Sequence, residues 1–268
     1  MSRQATTGRT AMFPSSPSTS SVCAAPTDDR DARHISLAGY GEDATRRLRA
    51  AHVLIIGVGG TGCAAAAALA AAGAGTLTLV DFDRVDASNL ARQPLYTPAD
   101  IGRDKVAVAA TRLATQHPGI DVVPRAERLV GDALRAAVDA ADVALDCSDN
   151  FASRFALNEA CVATGTALVS GSALRWEGQV AVFGPDYANA PCYRCMYFDD
   201  DESLDDCQGA GVLGPIPATI GTLMATEAIK RVTGTGTPAR LSLYDGRTGE
   251  WRQLSVSKNA DCPVCAAR

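Results

Sequence analysis

Long apolar runs are missing from this sequence. The nearest candidate, "AAAAALAAAGAG" at residues 64–75, is alanine broken by glycine, which suits a packed helix and not a membrane span. An excess of positive charge is missing too. The chain has 25 Lys+Arg against 30 Asp+Glu, a net charge of -5 and a pI near 5.2, which argues against nucleic acid as the main partner. The N-terminal segment also lacks the continuous apolar core of a secretory signal. A cytoplasmic location is therefore expected, where paired cysteines hold metal more readily than they form disulfides.

Large apolar side chains are scarce over residues 1–28. "MSRQATTGRTAMFPSSPSTSSVCAAP" is rich in Ser, Thr, Pro and Ala, and such a segment buries too little surface to offset its chain entropy. A disordered extension is expected at 1–28, followed by a single domain over 29–268. Hydrophobic content of 47% and charged content of 21% suit one well-formed globular core.

From "AHVLIIG" onward, strand and helix signals alternate. Strands are expected at 52–57 and 76–83 and over "IDVVPRAER", "DVALDCSDN" and "TALVSG". Helices are expected at about 60–72, over "DKVAVAATRLATQ", at 131–139 and over "FASRFALNEACVAT". This alternation predicts an α/β fold with a Rossmann-like, mainly parallel sheet and helices on both faces. Further on, "GQVAVFGP", "RLSLYDG" and "EWRQLSVS" read as strands without crossover helices between all of them, an antiparallel extension of the sheet. "GPIPATIGTLMATEAIKRVTG" reads as a helix opened after prolines and closed by glycine. The acidic run at 199–206 reads as a solvated loop.

"VLIIGVGGTG", residues 53–62, carries a buried strand into G-x-G-x-x-G, with Gly57, Gly59 and Gly62 at the fingerprint positions and Gly60 beside them. The first glycine permits a tight turn, the second lets backbone approach phosphate, and the third lets helix pack close to strand. N–H groups at the helix start attract phosphates. Asp81, at the end of the second strand, is placed to hold ribose hydroxyls. All of this serves NAD as well as ATP. The next segment, "DFDRVDASNLARQPLY", brings Asn89, Arg92 and Gln93 to the rim where ligands bind, and Lys105 follows at a helix start. A nicotinamide slot is apolar and rarely needs three strong donors. A triphosphate that loses pyrophosphate does need them, to stabilise charge on the departing oxygens. Plain surface charge on a loop and a helix is the alternative. In "DCSDN", Asp149 can reach the same crevice as a magnesium ligand. Capping of the following helix by Asp149 or Asn150 is the alternative there, and Asp146 suits a structural part.

The cysteines are unevenly placed. Cys192 with Cys195, and Cys262 with Cys265, form two C-x-x-C pairs, four soft ligands that zinc takes tetrahedrally in a closed structural site. Their long separation in sequence speaks against a compact nucleic-acid-binding ribbon, and neither pair has a thioredoxin-like setting. Cys63, Cys147 and Cys161 fall on expected core elements. Cys207 stands in the acidic stretch, where Asp205 and Asp206 would raise a nearby thiol's pKa. A reactive thiol and an ordinary loop cysteine are both open readings.

"GVGGTG", "DFDRVDASNLARQ", "DCSDN", "PCYRC" and "CPVC", in this order, resemble the ThiF/MoeB/HesA family of ubiquitin-activating-like adenylyltransferases over about residues 30–268. The resemblance implies adenylation of the C-terminal glycine carboxylate of a ubiquitin-like sulfur carrier ending in Gly-Gly, with ATP, Mg2+ and Zn2+ involved. It assigns Asp81 to the ribose, Asn89, Arg92 and Lys105 to the phosphates with Gln93 alongside, and Asp149 to magnesium. Arg33, in "DARHISLAGYG", matches an arginine that reaches into the neighbouring subunit's ATP site, which implies a homodimer; an exposed helix arginine is the alternative. Cys207 matches a cysteine that can bond to the carrier. Thr61 stands where the family usually has an aliphatic residue, and Ser36 interrupts a usually more apolar helix. "LYDGRTGEWRQLSV", "CPVC" and "AGVLGP" lean toward ThiF and thiamine thiazole synthesis, whereas "VSGSALRWEGQVAVF" is closer to MoeB and molybdopterin synthesis. No rhodanese segment follows the second cysteine pair, so a separate sulfur donor protein is expected. A NAD-dependent oxidoreductase, a non-catalytic zinc-stabilised scaffold for a ubiquitin-like protein, and a dehydratase acting on modified tRNA adenosine are the competing readings.

Overall fold

The computed structural model describes residues 30–197, 211–234 and 240–267. The expected N-terminal extension, the acidic loop and Cys207 lie outside the described residues.

The chain enters through a four-residue helix α1 (Ala32–Ile35) and α2 (Gly41–Ala50). It then alternates β1 (His52–Ile56), α3 (Gly60–Ala72), β2 (Thr76–Val80), α4 (Lys105–Gln116), β3 (Asp121–Arg125), α5 (Gly131–Asp139), β4 (Val143–Asp146), α6 (Phe151–Thr164) and β5 (Ala167–Leu174). β6 (Glu177–Phe183), α7 (Pro215–Thr233), β7 (Arg240–Asp245) and β8 (Glu250–Ser255) complete the order. The eight strands form one sheet in the order β3-β2-β1-β4-β5-β6-β7-β8. β1 to β5 pair in parallel, and β5 through β8 pair antiparallel.

The sequence explains this layout. "VLI" of β1 and "VAL" of β4 are fully buried, as central strands covered on both faces require. One core, with Val53, Ile55, Leu69, Leu113 and Met224, lies under α3, α4 and α7. The other, with Leu54, Leu134, Phe155, Leu157 and Phe183, lies under α5 and α6. α7 starts at Pro215 and ends against Gly234 at φ 81, as its proline and glycine signals predict. Winding reverses between β1 and β4, and sheets of this kind bind ligands at the carboxyl ends of strands at that switch point.

Two strand ends and one helix differ from expectation. β2 stops at Val80, short of residue 83, because the Asp81 carboxylate accepts the N–H groups of Val58 and Asp83 and turns the chain off the ladder. β5 runs on to Leu174, because it hairpins directly into β6 through Arg175 at φ 55. α2 has no counterpart among the expected elements; its polar sequence buries only Ala44, Thr45 and Leu48. Among the described residues no helix is long and apolar enough to cross a membrane.

Candidate functional site

At the switch point a cavity of about 800 Å³ opens. Its floor is the glycine turn. Gly57 has φ 89, and a Cβ there would stand 2.7 Å from the Cys147 carbonyl oxygen, so the turn and the β4 loop touch through backbone alone. A Cβ at Gly62 would lie 2.0 Å from the Gly57 carbonyl oxygen, which fixes how closely α3 approaches β1. At Gly59, by contrast, the nearest atom would be Gln93 Nε2 at 3.8 Å. No side chain caps the α3 N-terminus, so its first N–H groups, beside the cavity-lining Gly60 and Thr61, can receive an anion. Tyr96 donates to the Val58 carbonyl at 2.8 Å and braces the turn from below.

Asp81, Asn89, Arg92, Gln93, Lys105 and Asp149 all line this cavity. Burial pushes the Asp81 carboxyl above its usual range, against the pull of Lys105 and the N–H groups of Asp83 and Val58. Lys105 is 5% exposed, and its ammonium donates to Asp83 Oδ2 at 2.8 Å. Arg92 is anchored through Nη1 to the Ser88 carbonyl at 2.9 Å. Gln93 is 3% exposed, its Nε2 lies nearest the glycine turn, and its buried Oε1 has no hydrogen-bond partner among the described residues.

The loop after β4 separates two roles that the sequence left open. Asn150 caps α6, accepting the Ser153 N–H at 2.9 Å, while Asp149 stays exposed at the cavity. Asp146 is fully buried and accepts from Ser148 Oγ at 2.6 Å and Ser170 Oγ at 2.9 Å, a scaffold for the loop. Cys63 and Cys161 are buried in the two cores, but Cys147 is half-buried and lines the cavity. Burial and the adjacent Asp146 hold its thiol protonated. Arg33 is exposed on α1 and is not among the residues lining the cavity.

Several lining residues escaped the sequence reading. Asp83, the partner of Lys105, sits inside the quoted "DFD" and could have been weighed with Asp81. Phe82, Leu129, Val130, Leu134 and Leu157 form an apolar wall, suited to a flat heterocycle, but their sequence signal is indistinguishable from core. Gly171, Ser172, Ala173, Gly211 and Val212 add a lining of mostly small side chains.

The four paired cysteines converge. Cys192, Cys195, Cys262 and Cys265 are all buried, with their sulfurs within 4.8 Å of one another. Sγ–Sγ distances of 3.7 Å (Cys192–Cys262) and 3.5 Å (Cys195–Cys265) are close to the separation of about 3.8 Å that tetrahedral zinc–thiolate bonds impose. The residues present therefore fit zinc. Outer contacts orient them: Asn158 Nδ2 reaches Cys192 Sγ at 3.6 Å and the Asn259 N–H reaches Cys195 Sγ at 3.4 Å. Lys258 ties the tail to the Tyr187 and Ala188 carbonyls at 2.7 and 2.8 Å.

A doubly wound sheet with a glycine turn opening an uncapped helix at its switch point, charged residues around the cavity and a four-thiol knuckle is the layout of a nucleotide-binding α/β protein. The model of the ThiF family matches residues 32–264, and the chain belongs to that family. It is 45% identical over 243 residues to the sulfur carrier protein ThiS adenylyltransferase of Escherichia coli, covering 89% of this chain and 96% of the relative. It is 42% identical over 235 residues to the molybdopterin-synthase adenylyltransferase of Salmonella typhimurium, covering 87% of this chain and 94% of that relative. A crystal structure of E. coli MccB with ATP superimposes with a TM-score of 0.76 at 21% identity, over 90% of this chain and 75% of that one, a likeness of fold. The protein is a nucleotidyltransferase, which sets aside the oxidoreductase and scaffold readings.

Proposed function

We propose that the protein adenylates the terminal glycine carboxylate of a ubiquitin-like sulfur carrier ending in Gly-Gly. A carboxylate oxygen attacks the α-phosphorus of ATP, the bond to the bridging oxygen breaks, and pyrophosphate leaves with the electron pair. The products are acyl adenylate and pyrophosphate. No general base is required, since the carboxylate is ionised at neutral pH. Rate then depends on alignment and on neutralising charge.

The supporting observation is a single cavity in which an uncapped helix N-terminus, Asn89, Arg92, Gln93 and Lys105 gather with Asp149. In this reading the α3 N–H groups, Arg92 and Lys105 hold the phosphates with Gln93 alongside, and Asp81 takes the ribose. Asp149 would hold Mg2+, which shields phosphate charge when bound. The apolar wall at Leu129 and Leu157 receives adenine, and the small-residue wall at Gly171–Ala173 admits a tail without side chains. Arg33, exposed and outside its own chain's cavity, serves the second subunit's site in a homodimer. Zinc on the four cysteines is structural, and sulfur arrives from a separate donor protein. The carrier belongs to the thiamine or molybdopterin branch, whose adenylyltransferases from E. coli match at 45% and 44%.

Radiolabelled pyrophosphate exchange tests this directly. Label should enter ATP only when magnesium and a Gly-Gly carrier are both supplied, and comparing the two carriers chooses the branch. Absence of exchange with either carrier, in protein that binds NAD, would refute the reading.

A further inference from the structure

α6 has two working faces. Ala152, Ser153, Ala156 and Leu157 line the nucleotide cavity and Asn158 reaches the knuckle, while Arg154, one turn before Asn158 and so on its face, touches both, lining the cavity as well. Arg154, 6% exposed, donates through Nη2 to the Ser148 carbonyl at 2.7 Å and through Nη1 to the Tyr193 hydroxyl at 3.4 Å. Asn158, fully buried, accepts the Tyr193 N–H at 2.8 Å and donates to Cys192 Sγ at 3.6 Å. Tyr193 itself lies between two of the four cysteines. Its ring is locked against Tyr197, Phe155 and Phe183 at centroid distances of 4.8, 5.9 and 5.9 Å. One continuous chain of packed and hydrogen-bonded groups thus runs from the sulfur cluster to the backbone next to Asp149.

We propose that Arg154 and Tyr193 are positioning residues that couple metal occupancy at the four cysteines to nucleotide binding at the Ser148–Asp149 loop. The inference rests on the ATP-binding reading above. With metal in place, Tyr193 is held by its flanking ligands and fixes the Arg154 guanidinium, which in turn fixes the Ser148 carbonyl. Without it, the 192–195 turn loses its anchor and the loop carrying Asp149 loosens. Coupling of this kind is reciprocal, so ATP must tighten metal binding by the factor by which metal tightens ATP binding.

The full-length protein is titrated with zinc against a chromophoric chelator, with and without saturating Mg·ATP, zinc bound by ATP itself being measured in a protein-free control. Mg·ATP should raise zinc affinity by about fivefold in the wild type, the lower end of ordinary site-to-site coupling. In Tyr193→Phe, which keeps the ring packing and removes only the hydroxyl, the factor should fall toward one. Arg154→Lys, retaining charge but losing the two-armed bridge, should behave alike. An ATP effect of equal size in wild type and both variants, or none in a wild type shown by calorimetry to bind ATP, overturns the coupling while leaving the proposed function standing. A wild type that binds no ATP overturns the functional reading instead.

Discussion

Replacing Lys105 by methionine separates a chemical role from a structural one. The lysine stem is buried, with 6% of the side chain exposed, but the partner Asp83 side chain is 52% exposed. Methionine keeps the stem's volume, and the abandoned Asp83 carboxylate stays in contact with water. The lost ion pair has one end in solvent and is correspondingly weak, so stability should change by no more than about 1 kcal/mol. Catalysis should respond differently. If the ammonium neutralises the departing pyrophosphate, its loss should lower carrier-dependent exchange by roughly 10²–10³-fold, about 2.7–4 kcal/mol of transition-state stabilisation. Thermal melting gives the first quantity and pyrophosphate exchange at saturating ATP the second. Full exchange in Lys105→Met would refute the role. So would a loss of exchange that merely tracks a collapse in melting temperature, since Lys105 would then be a packing residue.

Other positions give independent expectations. Gly62→Ala drives a methyl to within 2.0 Å of the Gly57 carbonyl oxygen, and should destabilise by about 1–3 kcal/mol while displacing the N–H groups proposed to meet phosphate; calorimetry with ATP measures both. Asn150→Ala removes the α6 cap and should cost about 1 kcal/mol in a melting experiment. Asp149→Asn should leave melting unchanged but raise the magnesium needed for half-maximal exchange by at least about tenfold; equal magnesium dependence would remove Asp149 from the metal site. Asp100, held down to about 2 by the Thr97 hydroxyl and N–H and by Arg112, contributes stability that is complete above the ordinary carboxylate value and lost as pH falls through its own. Acid titration of wild type against Asp100→Asn should converge between pH of about 4 and 2.

The parallel half of the sheet was legible because its central strands β1 and β4 are apolar on both faces and its helices carry glycine, proline or alanine punctuation, although β3 at the edge is largely exposed. α3 and α7 begin and end where their signals place them. The elements that escaped are those whose stability comes from elsewhere. α2 is polar on most of its surface, and the β5–β6 hairpin turns at Arg175 without the Asn-Gly or Asp-Gly pair that marks such turns. In the cavity, charged and glycine residues stood out by type, whereas Leu129, Leu134 and Leu157 are leucines that only topology distinguishes from core. Arg154 did leave a trace: a charged residue among Phe151, Phe155 and Asn158 on a helix face that must be buried signals a polar partner waiting inside the fold.

Gly-x-Gly-x-x-Gly could not name the nucleotide, because a glycine turn answers to phosphate and every dinucleotide and triphosphate has phosphate. In the proposed reading the Lys105–Asp83 pair supplies the discrimination. An ammonium at 6% exposure cannot stay unpaired, so before a ligand arrives it needs an internal counter-ion. A carboxylate at 52% exposure is a counter-ion that water can reclaim at little cost. The pair is thus set to exchange one anion for another, with the incoming anion carrying more charge than the one released. Nicotinamide chemistry moves hydride and presents no new anion at this rim, whereas departure of pyrophosphate places charge there during the reaction itself. If Lys105 is so poised, Asp83→Asn should tighten the hold of Lys105 on phosphate by removing its competitor while leaving that buried ammonium short of a partner in the free protein. ATP affinity should then rise as stability falls, and a fall in both would show that Asp83 binds nucleotide alongside Lys105 instead of releasing it.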